Sequence, residues 1–181
     1  MISDFVKGKK KFDYPPGIQK GIMLHRTIDT FTDFHEATKE AKKIFRPHYR
    51  LYSGAFVDVV YDHFLATDIN EFPASSLFDF SQQVYTELEK QVKWQPERFA
   101  VMFPYMKESN WLFNYRTYSG TGKSFGGVVH RSVHLTESDT AYKLFEQHYQ
   151  LLQDCYRHFW VVAKPFIRKQ FELLQNDSKI N

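Results

Sequence analysis

Two stretches decide the fold: Gly21-Ile22-Met23-Leu24-His25-Arg26-Thr27-Ile28-Asp29-Thr30-Phe31-Thr32-Asp33 and Val57-Asp58-Val59-Val60-Tyr61-Asp62-His63-Phe64-Leu65. In both, apolar residues (Leu24, Ile28, Phe31; Val57, Val60, Phe64, Leu65) recur at the spacing of an amphipathic or largely buried helix. Each stretch also carries ionisable residues on its apolar side. His25 and Asp29 are four apart, so they lie one turn above each other; Asp58 and Asp62 repeat that spacing, and His63 follows at once. These imidazoles and carboxylates are an N/O donor set suited to a hard or borderline divalent cation, and carboxylates buried without a partner would be costly. Taken singly, each reads as a cap, a surface group or a hydrogen-bonded core group. Taken together they read as a metal or catalytic cluster.

At 181 residues the chain is long enough for one domain with a real core and too short to require two. With 43% hydrophobic and 25% charged residues the composition is that of a folded soluble protein, and 18 Phe and 11 Tyr point to a ring-filled core. Only 8 Gly and 7 Pro, clustered in a few places, favour helices over many short strands. The single Cys155 excludes an internal disulfide. No run approaches the roughly 20 apolar residues that span a bilayer, and Met1 to Lys7 has no apolar signal core. The expectation is a cytoplasmic protein without membrane association. A net charge of +3 is too small to argue for nucleic acid, but it is compatible with an acidic protein partner or a phosphate-bearing substrate.

In chain order, Lys7, Lys9, Lys10 and Lys11 form a basic entry, and Pro15-Pro16-Gly17 breaks the chain before a helix over 18–31. A second helix over 35–45, capped by Thr32 or Asp33, carries Glu36, Lys39, Glu40 and Lys43 as a solvated face. Pro47 is expected to end it, and a further helix covers 49–66. A loop over 68–75 leads to a long helix over 76–93 with Leu77, Phe80, Val84, Leu88 and Val92 as its buried stripe. Helices over 97–106 and 110–118 follow. Residues 119–127 contain Gly122-Lys123-Ser124, yet Thr117 stands where a phosphate-binding P-loop needs glycine, and no apolar strand precedes it. The segment therefore reads as a flexible loop, a potential lid. A final long helix from Thr136 or Ser138 to Phe171, kinked or divided at Pro165, has a core stripe of Tyr142, Phe145, Tyr149, Leu152, Tyr156 and Phe159. The tail over 175–181 is polar and expected to fray. One all-α domain over residues 1–181, a helical bundle, is the expected fold.

Among other titratable groups, His130 and His134 have no carboxylate in step and read as a partly exposed pair; Asp154 and His158 read as a surface ion pair. Cys155 has no activating base in reach along its helix, so nothing suggests thiol catalysis. The cluster of His25, Asp29, Asp58, Asp62 and His63 remains. A divalent ion there would acidify a bound water and polarise a phosphoryl oxygen, and Arg26 or Lys7 could hold a phosphate oxygen. Metal-assisted hydrolysis of a phosphate ester is the reaction class this suggests.

The blocks Asp4-Phe5-Val6-Lys7-Gly8, Tyr14-Pro15-Pro16-Gly17-Ile18-Gln19-Lys20-Gly21-Ile22, His25-Arg26-x-Ile28-Asp29-x-Phe31-Thr32-Asp33, Asp58-x-x-x-Asp62-His63-Phe64-Leu65 and Trp111-Leu112-x-x-Tyr115-Arg116 resemble the acyl carrier protein phosphodiesterase family over most of the chain, from Asp4 to about Arg131. The resemblance implies an all-α fold distantly similar to the HD phosphohydrolases, dependence on Mn²⁺ or Mg²⁺, and removal of 4′-phosphopantetheine from holo-acyl carrier protein. It implies metal ligands among His25, Asp29, Asp58, Asp62, His63 and Asp4, with Asp62, His63, Arg26 and Lys7 as catalytic or phosphate-facing residues. Lys9, Lys10, Lys42, Lys43 and Arg46 would offer basic surface to the acidic carrier. The pair here reads Asp62-His63 rather than His-Asp, so the HD ligand order does not transfer. The family pattern usually opens with an Asn-Phe-x-x-His-like segment ahead of the Asp-Phe-Val block; if its His is a ligand, this form lacks one, and the expectation is then an incomplete site or a misassigned start. Other readings are a metal-dependent phosphohydrolase of nucleotides or other small esters, and a non-catalytic helical module binding an acidic partner.

Overall fold

The computed structural model describes residues 1–176, so the tail beyond Asn176 lies outside the described residues. Among these there are nine α-helices, a few 3-10 turns and no strand. Both deciding stretches are helical: α1 is Pro16–Phe34 and α3 is Ser53–Thr67, with α2 (Glu36–Tyr49) between them. Pro16 takes the first position of α1, where its missing N–H costs nothing, so the helix starts two residues before the expected Ile18. It also runs through Thr32 and Asp33, and the cap of α2 is His35, whose Nδ1 accepts the Ala37 N–H at 3.2 Å. Pro47 does not end α2. It sits in the last turn; the helix continues to Tyr49, and Arg50, at a φ of 46°, turns the chain three residues after Pro47.

α4 (Ser76–Lys90), α5 (Glu97–Glu108) and α6 (Trp111–Asn114) gather a small apolar cluster of Tyr85, Phe99, Phe103 and Met106, onto which Ile2, Phe5 and Leu88 fold. The inward face of α4 is Leu77, Ser81 and Tyr85. Phe80 and Val92, expected in that stripe, are exposed. The Tyr85 hydroxyl accepts the Leu112 N–H at 3.0 Å, which fixes the face that turns inward.

The glycine-rich segment is not a loop. Residues Tyr118–Arg131 form α7, capped by the Thr117 hydroxyl, which accepts the Gly120 N–H at 2.9 Å. The glycines allow close packing: a Cβ at Gly120 would lie 1.9 Å from the Asn114 carbonyl oxygen, and one at Gly122 would meet the Tyr142 ring at 3.2 Å. The expected single last helix is two, α8 (Asp139–Gln147) and α9 (Tyr149–Asn176). The division falls at His148, while Pro165 is carried inside α9.

The main core lies where α2, α3, α7, α8 and α9 meet. Its centre is a run of fully buried rings, with Phe45–Phe56, Phe56–Phe125 and Phe125–Phe145 centroids 5.8, 5.5 and 6.0 Å apart, the separations aromatic pairs favour. The stripe expected from the last helix is here: Phe145, Leu152, Tyr156 and Phe159 are buried, Tyr142 and Tyr149 partly so. α1 and α3 each pack on α2 and α9 rather than closely on one another. Asp29 and Asp33 of α1 and Asp58 and Asp62 of α3 are exposed.

Candidate functional site

Helical periodicity builds this face. On α1, His25, Asp29 and Asp33 follow each other at four-residue steps; on α3, Asp58 and Asp62 do the same. His25 Nδ1 lies 2.8 Å from Asp29 Oδ2, and its Nε2 lies 4.0 Å from Asp4 Oδ1 in the Ser3–Phe5 turn. Asp4, His25 and Asp29 each place a donor atom within 4.8 Å of the others. Asp58 feels the charges of Asp62, Asp33 and Asp29, and Asp62 feels those of His25 and the Met1 ammonium, so the α3 carboxylates face the same space.

Asp58 and Asp62 meet solvent at one edge but are otherwise surrounded by protein. That loss of hydration, followed by repulsion from Asp62, Asp33 and Asp29, pushes the Asp58 carboxyl up to about 7. Loss of hydration raises Asp62 to about 7 as well, against the Tyr115 hydroxyl, the Met1 ammonium and His25, which favour its charged form. The Tyr115 phenol is itself raised by burial and by Asp62, so it stays a donor to that carboxylate. The Met1 amine, its pKa lowered by burial against the opposing pull of the acidic groups, lies among Asp4, Asp29 and Asp62.

Two expected site residues lie elsewhere. His63 is 1% exposed and points into the core, because successive helical positions are rotated by roughly 100° and Asp62 takes the open face. Its Nδ1 is 2.8 Å from the Tyr115 carbonyl and 3.2 Å from Thr121 Oγ1, and its Nε2 is 3.0 Å from the Tyr149 hydroxyl. Burial lowers its pKa, which keeps the ring neutral in this network. Arg26 donates to the Val6 carbonyl at 2.5 Å and the Gly8 carbonyl at 3.3 Å; it clamps the basic entry segment instead of standing free for phosphate. Lys7 is exposed beside that clamp.

Sequence reading missed Asp33 and Tyr115. Asp33 was legible as the next four-residue step after Asp29; here it also pairs with Lys42 at 2.7 Å. Nothing local links Tyr115 to Asp62. Of the other groups weighed, His130 and His134 are exposed, and α7 ends at Arg131, so they share no helix face. Asp154 is engaged by Arg157 at 3.4 Å rather than by His158. Cys155 is a buried free thiol, raised by burial.

The donors suit a divalent ion. Two ligands about 2.1 Å from one ion can be no more than about 4.2 Å apart, so the Asp4, His25 and Asp29 atoms need shift only slightly from their present spread of up to 4.8 Å. One imidazole among carboxylates fits Mn²⁺ or Mg²⁺ better than a thiophilic metal.

The family model described as acyl carrier protein phosphodiesterase matches residues 1–162, a span that holds every residue of this cluster. The chain belongs to the acyl carrier protein phosphodiesterase family. Relatives bearing that name include one from Yersinia pestis, 33% identical over 161 residues (88% of this chain, 83% of the relative). Another, from Salmonella agona, is 30% identical over 165 residues, with the same 88% and 83% covered. A third family member, from Photorhabdus laumondii, is 27% identical over 150 residues (82% and 76%). No solved structure matches the chain.

Proposed function

We propose that the chain hydrolyses the phosphodiester joining 4′-phosphopantetheine to a serine of holo-acyl carrier protein, with Mn²⁺ or Mg²⁺ held by Asp4, His25 and Asp29. The observation that carries this is the convergence of Asp4, the His25–Asp29 pair of α1 and the Asp58–Asp62 pair of α3 on one face, in a member of this family. When bound, the cation would offset charge on a phosphoryl oxygen and make a nearby water more acidic. Asp62, oriented by the Tyr115 hydroxyl, accepts the proton of the attacking water as its oxygen bonds to phosphorus. Asp58, which loss of hydration and then repulsion from its acidic neighbours keep partly protonated near neutral pH, gives a proton to the serine oxygen as the P–O bond to it breaks. The products are the apo carrier with its free serine and 4′-phosphopantetheine. Lys7, Lys9 and Lys10 are exposed in the segment that follows Asp4 in the chain and suit an acidic carrier protein.

Among the described residues no helix is long and apolar enough to cross a membrane, which goes with a cytoplasmic place of action. The test is mass spectrometry of holo-carrier incubated with the protein and Mn²⁺. Conversion to the apo mass is expected with the parent chain and not with Asp62→Ala, whose exposed side chain can be truncated without unfolding. Equal conversion by that variant, or faster turnover of a nucleotide diester panel, would count against the reading.

A further inference from the structure

A cavity of about 250 Å³ lies beside the cluster, and His25 lines it as well as carrying the Asp4 and Asp29 contacts. Ile18 and Ile22 of α1 form one wall, and Leu88 and Trp94, from the end of α4 and the 3-10 turn Val92–Trp94, line it with them. The polar part of the lining is Ser3, His25, Gln91 and Gln95, the Gln95 amide nitrogen donating to the Leu88 carbonyl at 2.9 Å. We propose that this cavity receives the pantetheine arm of the carrier-bound substrate, so that its phosphate comes to rest at His25.

The proposal rests on the phosphodiesterase reading, and three features support it. The volume is smaller than the roughly 300–1,000 Å³ that encloses a whole small ligand, so it suits a flexible arm delivered by a protein better than a nucleotide. The lining matches the arm, whose methylene and gem-dimethyl groups alternate with amides: branched aliphatic and indole side chains for the former, glutamines for the latter. The cavity and the cluster share a residue, so an occupant of one reaches the other. A larger groove of about 750 Å³, where Arg26, His35 and Glu36 stand beside Phe31, Phe34 and Phe166, includes none of the donors Asp4, His25 and Asp29 and lacks that continuity.

Gly21 offers a clean test, because it lines the cavity and a Cβ built on it meets no atom within 4 Å. A side chain added there enters the space without displacing backbone, and replacing a helical glycine favours folding. Binding of holo- and apo-carrier is measured by calorimetry in EDTA, where no turnover occurs, for the parent chain, Gly21→Ala and Gly21→Leu. The holo form is expected to bind the parent at least ten-fold tighter than the apo form. Gly21→Leu should erase that preference, and Gly21→Ala should weaken it less. With Mn²⁺, Gly21→Leu should lose ten-fold or more in kcat/KM on holo-carrier. A parent chain with no holo preference, or a Gly21→Leu variant that keeps it, overturns the cavity assignment. A preference sensitive to Gly21→Leu, in a parent that releases no phosphopantetheine, leaves the cavity standing and refutes the phosphodiesterase reading.

Discussion

Replacing His63 with alanine separates a structural histidine from a metal ligand. The ring is 1% exposed and lies 5.2, 5.7 and 5.7 Å from the Phe145, Tyr118 and Tyr149 rings. Its removal leaves the Tyr149 hydroxyl without its imidazole partner, at about 1–3 kcal/mol. The Tyr115 carbonyl keeps the Thr121 hydroxyl, 3.4 Å away, so it is not fully orphaned. Emptying a ring-sized space among packed aromatics brings the total to about 3–5 kcal/mol. For a chain of 181 residues this lowers Tm by roughly 6–20 °C. Circular dichroism melts with and without Mn²⁺ provide the assay. The variant should melt low in both, yet gain the same increment from Mn²⁺ as the parent, because an ion bound only to the native state stabilises by mass action. A variant that melts like the parent and no longer responds to Mn²⁺ would refute the assignment of His63 to the core.

The helical reading of α7 predicts opposite signs for two glycine-to-alanine changes. Gly120→Ala drives a Cβ against the Asn114 carbonyl and should cost about 1–3 kcal/mol. Gly126→Ala, with Ser138 Oγ 3.9 Å away, should stabilise by about 0.5–1 kcal/mol; urea titrations measure both, and a matched pair of effects would contradict a helix here. In EDTA the raised carboxyls of Asp58 and Asp62 make the native state bind more protons than the unfolded chain between about pH 4 and pH 7. Their contribution to stability therefore falls as pH rises through that window and levels above it. The Asp58→Asn/Asp62→Asn double variant should lose less stability than the parent between pH 5 and pH 8, and an unchanged slope would show that these groups are not raised.

The helical class and the open face were legible because one rule, the four-residue step, governs both the apolar stripes and the alignment of His25 with Asp29 and of Asp58 with Asp62. That same rule removes His63, which follows Asp62 in sequence but is rotated away from it on the helix. Features set by distant partners left no local trace. The capture of Arg26 by carbonyls 18 and 20 residues earlier is one, and the approach of Tyr115 to Asp62 is another. The glycines of α7 read as loop because glycine disfavours helices, whereas tertiary packing at Gly120 requires it. Pro165 drew the expected break away from His148, although α9 carries this proline in its interior.

The most direct test of the cluster as a cation site is calorimetric titration of the metal-free protein with Mn²⁺. The expected result is binding that His25→Ala and Asp29→Ala each weaken ten-fold or more, while His63→Phe, which keeps a ring in the core, binds like the parent. Undiminished Mn²⁺ affinity in His25→Ala and Asp29→Ala, or its loss in His63→Phe, would contradict the placement of the ion between α1 and the Asp4 turn.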